Sequence, residues 1–192
     1  MSAAPARPSV RDMTEILCTY ASKHGSTREV AEVIAATLAE LGLSVDVKPT
    51  DAVSDLSGYD GVVLGGALYT GRWHARRFLA RFADPLAARP VAVFAMGPRT
   101  LEASDVAASR AQLDRALAQH PEVRPFAVAI FGGVVDPAKL RFPFSRMPAS
   151  DARDWAAIHA WVEEVAAGIT SSSPQATGSK VRLTAGLERA TL

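Results

Sequence analysis

The sequence predicts a three-layer α/β fold, a doubly wound sheet of five parallel strands with helices on both faces. Three observations carry this expectation. Short apolar runs of strand length alternate along the chain with segments of helical spacing. The chain's 192 residues suffice for one such domain with a full core. The first apolar run also gives way directly to a turn rich in Ser, Thr and Gly and then to a long helical pattern.

Residues 15–19 form the first strand pattern, and residues 28–41 follow with Val30, Ile34, Leu38 and Leu41 at helical intervals. Gly42 is a natural helix stop. Residues 43–48 alternate as an edge strand does, 55–59 read as a short helix or turn, and 60–65 form a buried strand ending in glycines. Residues 74–82 read as a helix, 90–96 as the fourth strand, 103–119 as a helix with Val106, Leu113 and Leu117 inward, and 126–131 as the fifth strand. The last helix spans 151–169, with Trp155, Ile158, Trp161, Val162 and Val165 on its apolar face. Residues 1–13 read as a flexible leader, 14–169 as the domain, and 170–192, beginning with a Ser-, Pro- and Gly-containing run, as a disordered tail.

Composition narrows the function classes. Hydrophobic residues at 48% and charged residues at 21% fit a soluble globular domain. A net charge of +1 gives no overall attraction to nucleic acid. The single cysteine, Cys18, excludes an internal disulfide and any Cys-rich metal centre, and it reads as a small buried hydrophobe. No metal site is expected. The absence of a transmembrane-length apolar run and of a hydrophobic signal core makes a cytoplasmic location the default.

The turn at residues 20–27, Tyr-Ala-Ser-Lys-His-Gly-Ser-Thr, is the strongest local signal. A loop between a parallel strand and a helix places backbone N–H groups at the positive end of the helix dipole, where a phosphate binds well. Ser22, Ser26 and Thr27 add hydroxyls, and Gly25 lets the backbone close. The Gly-Lys-Ser/Thr ending of a Walker loop is absent, as is the Gly-x-Gly-x-x-Gly dinucleotide fingerprint. An ordinary Ser/Thr helix cap is the plain alternative. The run Ser22, Lys23, His24, Gly25, Ser26, Thr27, with Glu29 soon after, resembles the FMN phosphate loop of the flavodoxin family, Ser/Thr-x-Thr-Gly-x-Thr and then an acidic residue. It departs at His24, where threonine is usual, and at Lys23, which adds positive charge.

The resemblance implies strand order 2-1-3-4-5 and a crevice bounded by the loops after strands one, three and four. The loop after strand three holds Ala67, Leu68, Tyr69, Thr70 and Gly71, then Arg72, Trp73 and His74. Tyr69 and Trp73 could stack on a flavin or pack beneath the loop, with Tyr69 preferred for the ligand. The loop after strand four holds Met96, Gly97, Pro98, Arg99 and Thr100, which in the family wrap the pyrimidine edge of the ring. These loops contain no Asp or Glu. His24 and His74 are candidate proton relays or plain surface histidines, and no catalytic residue is assigned. Arg72, Arg76, Arg77 and Arg81 read as neighbouring faces of one helix, either solvated or able to bind carboxylates of an anionic substrate.

The segments at 20–27, 66–74, 131–133 and 154–161 together resemble the flavodoxin-domain family that contains menaquinone-dependent protoporphyrinogen dehydrogenase. That resemblance implies an FMN-dependent oxidoreductase transferring two electrons, with a porphyrinogen as donor and a quinone as acceptor. A soluble flavodoxin-type electron carrier is the alternative, although such carriers are typically strongly acidic and this chain is nearly neutral. Stretch 132–149 is shorter than that family's basic, aromatic-rich insertion. It carries Lys139, Arg141, Phe142, Phe144 and Arg146, which suit either a solvated loop or contact with a flat acidic substrate or an anionic membrane face.

Overall fold

The computed structural model describes residues 14–69, 71–139, 142, 146 and 148–172. The expected leader, Thr70, Arg141, Phe144 and residues 173–192 lie outside them.

The first strand β1 (Glu15–Ala21) stands inside the sheet, paired in parallel with β2 (Ser44–Pro49) on one side and β3 (Gly61–Tyr69) on the other. Beyond β3 come β5 (Val91–Met96) and then β6 (Ala127–Phe131), again parallel. A two-residue strand, β4 (Arg72–Trp73), turns back antiparallel on the end of β3. With that hairpin set aside, the order β2-β1-β3-β5-β6 is the expected 2-1-3-4-5.

Alternation along β1 feeds two cores. Ile16 and Cys18 face α1 (Ser26–Glu40) and α5 (Trp155–Ser172), where Ile34, Leu38, Ile158, Val162 and Val165 are fully buried. Leu17 faces the other way, toward α2 (Arg76–Arg81), α3 (Ala83–Ala87) and α4 (Ala103–Leu117), which contribute Leu79, Leu86 and Leu113. Helices on both faces explain why β5 is buried along its whole length, with no polar alternation.

Helix α1 ends as its sequence requires. Gly42 takes φ 90°, its N–H donates to Ala39 O at 3.0 Å, and the Leu43 N–H donates to Leu38 O at 3.1 Å, the paired hydrogen bonds of a Schellman stop. Leu41 is therefore the cap and half exposed, rather than part of the buried stripe.

Three expectations are corrected here. The helix expected over 74–82 starts later, because residues 72–74 zip onto β3. The Trp73 indole N–H donates to Gly66 O at 3.2 Å, and the His74 N–H donates to Ala67 O at 3.0 Å. Arg72 thus sits in a strand and shares no helix face with Arg76, Arg77 and Arg81. Trp155 is likewise not part of the apolar face of α5. It stands 38% exposed, with the Arg153 guanidinium 4.8 Å above its ring. The helix also continues through Ser172, so residues 170–172 are helical.

The Cys18 thiol is fully buried, donates to Ala31 O at 3.4 Å, and is pushed by burial up to about 12. It should not react with an aromatic disulfide reagent in native buffer and should release one equivalent in denaturant. Rapid native labelling would contradict this placement.

Candidate functional site

The loops at the carboxyl ends of β1, β3, β5 and β6 converge on one cleft. From the first loop come Ser22, Lys23, His24, Ser26 and Thr27. Gly25 does not line it but makes the turn possible. It caps α1 at φ 99°, a conformation costly for any other residue, and its N–H donates to Ser22 Oγ at 3.1 Å. The Gly25 carbonyl accepts the Glu29 N–H at 3.0 Å. The amides of Ser26, Thr27 and Arg28 are then left at the helix start without intrahelical acceptors. The Thr27 side chain is 1% exposed, and its hydroxyl finds no partner among the described residues. A buried hydroxyl without a partner costs about 1–3 kcal/mol, and Thr27 borders the cleft, so an acceptor reaching this hydroxyl would relieve that cost.

Ala67, Leu68 and Tyr69 form the second wall, and Met96 and Gly97 the third. Tyr69 stands between two histidine rings, edge-on to both, with centroids 6.4 Å from His24 and 6.1 Å from His74. The Lys23 Nζ lies 5.5 Å from the Tyr69 centroid. Trp73, by contrast, is 1% exposed and packs beneath the loop. Gly71 and Pro98 border an adjoining depression together with Leu68, Gly97 and Arg99. Thr70 falls outside the described residues.

The fourth wall, Gly133, Val134 and Val135, was not among the expected site residues, and His74 and Arg99 join the lining as well. The sequence signal for this wall is the Phe-Gly-Gly run that ends the fifth strand. Gly133 donates to Pro98 O at 2.7 Å and Gly97 donates to Phe131 O at 2.8 Å, so the loops after β5 and β6 are stitched together. A Cβ on Gly133 would stand 2.7 Å from Gly97 O, which explains the glycine.

None of the described residues lining the cleft is acidic, while Lys23, His24, His74 and Arg99 all border it. His74 titrates below its ordinary value, because burial disfavours its charged form and Lys23, Arg76 and His24 add like charge. In the ligand-free protein its NMR titration midpoint should therefore fall below 6.5. A midpoint above that value would mean a counter-charge faces the ring.

A family profile for the flavodoxin domain matches residues 17–147. The chain belongs to the flavodoxin-domain family. FMN is the cofactor of this domain. The residues fit it: the helix start offers amides and an unpartnered hydroxyl to a phosphate, and the cleft beyond offers apolar and aromatic walls to a flat ring. Protoporphyrinogen IX dehydrogenase [quinone] of Escherichia coli K12 is 30% identical over 84 residues, which is 42% of this chain and 46% of that protein. The match thus spans less than half the length of those curated relatives; the O157:H7 protein gives the same figures. Among solved structures, a flavodoxin variant from Pseudomonas aeruginosa superposes with TM-score 0.55 at 17% identity, covering 82% of this chain and 99% of its own. The Streptococcus pneumoniae TIGR4 flavodoxin superposes with TM-score 0.53 at 19% identity, with the same coverage. At these identities the superpositions establish the fold.

Proposed function

We propose that this flavodoxin-domain protein is an FMN-dependent oxidoreductase that takes two electrons and two protons per turnover from a porphyrinogen-type donor and passes them to a quinone. The observation that carries the proposal is the cleft bordered by Lys23, His24, His74 and Arg99 with no acidic residue among its described lining.

Bound FMN would supply a two-electron acceptor at its ring. Ser22, Ser26, Thr27 and the first amides of α1 would hold its phosphate, and Tyr69 would wall one side of the ring. Positive groups around a flavin favour its fully reduced anionic form and so raise its two-electron potential. A carrier tuned for single electrons at low potential needs negative neighbours instead. The same cations would attract a carboxylate-bearing donor, and the exposed Arg72 and Arg76 lie near Tyr69 and His74 to assist.

The second reading, a soluble electron carrier, rests on the flavodoxin-domain match over residues 17–147. Anaerobic reduction of the FMN-loaded protein separates the two. One two-electron wave, followed by rapid reoxidation by a quinone and reduction by protoporphyrinogen, supports the oxidoreductase. Two well-separated one-electron waves with neither reaction would leave the carrier. Arg99→Glu should lower the two-electron midpoint by about 30 mV, a tenfold change for a two-electron couple. An unmoved midpoint would show that Arg99 does not tune the ring.

We also propose a cytoplasmic protein that touches the inner membrane face, where quinones reside. Phe142 is 72% exposed with the Arg146 guanidinium 5.1 Å over its ring, a pairing suited to an anionic interface. No helix among the described residues is long and apolar enough to cross a membrane. Cosedimentation with anionic vesicles at low salt checks the contact, and recovery of all protein in the supernatant would refute it.

A further inference from the structure

The start of α1 carries the acidic residue that follows the loop in the family's pattern. Glu29 sits in its first turn, where a second negative charge would oppose a phosphate dianion. Its carboxylate is met by Arg153, far away in sequence, whose Nη1 lies 2.6 Å from Glu29 Oε2. Arg153 is itself firmly held. Its Nε reaches both Asp151 oxygens at 2.9 and 3.1 Å, its Nη2 reaches Asp151 Oδ2 at 2.5 Å, and its plane covers Trp155. Its side chain is only 12% exposed, while that of Glu29 is 50% exposed, so the guanidinium is fixed in place and water screens the pair from the Glu29 side.

The place of this pair matters. Glu29 and Arg153 border the same small depression as His24 and Ser26 of the phosphate loop. Asp151 lies in β8 (Ser150–Asp151), which pairs with β7 (Val134–Val135) on the fourth wall of the cleft. The Ala152 N–H also donates to Gly133 O at 3.1 Å. One guanidinium thus joins the phosphate-binding helix to the wall that closes the cleft.

We infer that Arg153 is a positioning residue for FMN that masks the Glu29 carboxylate beside the phosphate loop, so that the helix start presents a net attractive field to the phosphate. The inference rests on the phosphate lying in the Ser22–Thr27 loop. Arg153 touches neither the reacting ring nor a substrate in this scheme; it acts through Glu29 and through the β7–β8 pair.

The test compares FMN with riboflavin, which has the same ring and no phosphate, by fluorescence quenching on refolded apoprotein. Arg153→Gln should weaken FMN by about tenfold, as expected for an unmasked charge at this range, and leave riboflavin nearly unchanged. The loss should shrink as salt is raised. Adding Glu29→Gln to Arg153→Gln should restore FMN affinity, and Glu29→Gln alone should tighten FMN relative to riboflavin. The single Glu29→Gln variant keeps the test decisive if Arg153→Gln fails to fold. Equal weakening of both ligands, no rescue in the double variant, or no tightening with Glu29→Gln would overturn the masking role. Thr27→Val serves as the control for the loop itself. If it lowers the preference for FMN over riboflavin while the Arg153 and Glu29 variants do not, only the role of Arg153 falls. If it leaves that preference intact, the phosphate lies elsewhere and both readings fall.

Discussion

Thr27→Val should make the apoprotein more stable and its grip on FMN weaker. The hydroxyl is buried in the native chain without a partner among the described residues, and valine keeps the shape of threonine while removing that polar group. Relief of the unmet bond should add about 1 kcal/mol to the apoprotein. A hydrogen bond to a charged phosphate is worth about 1.5–3 kcal/mol, so FMN affinity should fall by about tenfold to a hundredfold. The opposite signs give the experiment its power. A variant that merely damaged the fold would lose stability and affinity together. Urea unfolding of the apoprotein and an FMN titration, with riboflavin alongside, suffice. A stabilised variant with unaltered FMN affinity would show that the hydroxyl faces no phosphate.

Gly65→Ala should cost about 3 kcal/mol, the upper part of the usual range for overpacking. A Cβ at residue 65 would stand 2.1 Å from Cζ of Phe94 and 2.4 Å from Cε1, directly across the β3–β5 pairing. The Phe94 ring has little room to retreat. It is fully buried, with Phe131 at 5.9 Å and Trp161 at 6.1 Å between centroids, and those two rings are 5.6 Å apart. The atoms in conflict are the far end of the phenyl ring, which leucine lacks. Phe94→Leu placed in the Gly65→Ala background should therefore regain part of the loss, although alone it removes buried surface and destabilises. An unchanged unfolding midpoint for Gly65→Ala would mean that the ring does not lie over this glycine.

The turn that opens α1 was legible because its parts are consecutive. Residues 22–27 hold the hydroxyls, the turn glycine and the helix start together, and no distant contact is needed to read them. Tyr69 was legible as a cleft residue for a related reason, since the direction of its strand was readable, although β3 runs on to Tyr69 where the sequence pattern ended the strand at residue 65. Its neighbour Trp73 was ambiguous. Its place beneath the loop depends on the Gly66 carbonyl, which only the β3–β4 hairpin brings to the indole. The same hairpin removed Arg72 from the arginine face that helical spacing alone suggested. Trp155 had the correct spacing for the core, yet it lies at the first turn, where Arg153 covers it instead of the sheet.

The chain's alternating periods determine a parallel, two-faced sheet, and the turn after the first strand determines a glycine-capped helix start beside the cleft. Both follow from interactions within a few residues of one another, which a linear string records directly. The fourth wall at 133–135, the burial of Trp73 and the pairing of Arg153 with Glu29 were decided by tertiary structure. Each joins segments far apart along the chain, and which distant partner a side chain meets depends on how the packed sheet and helices orient their ends rather than on the residues beside it.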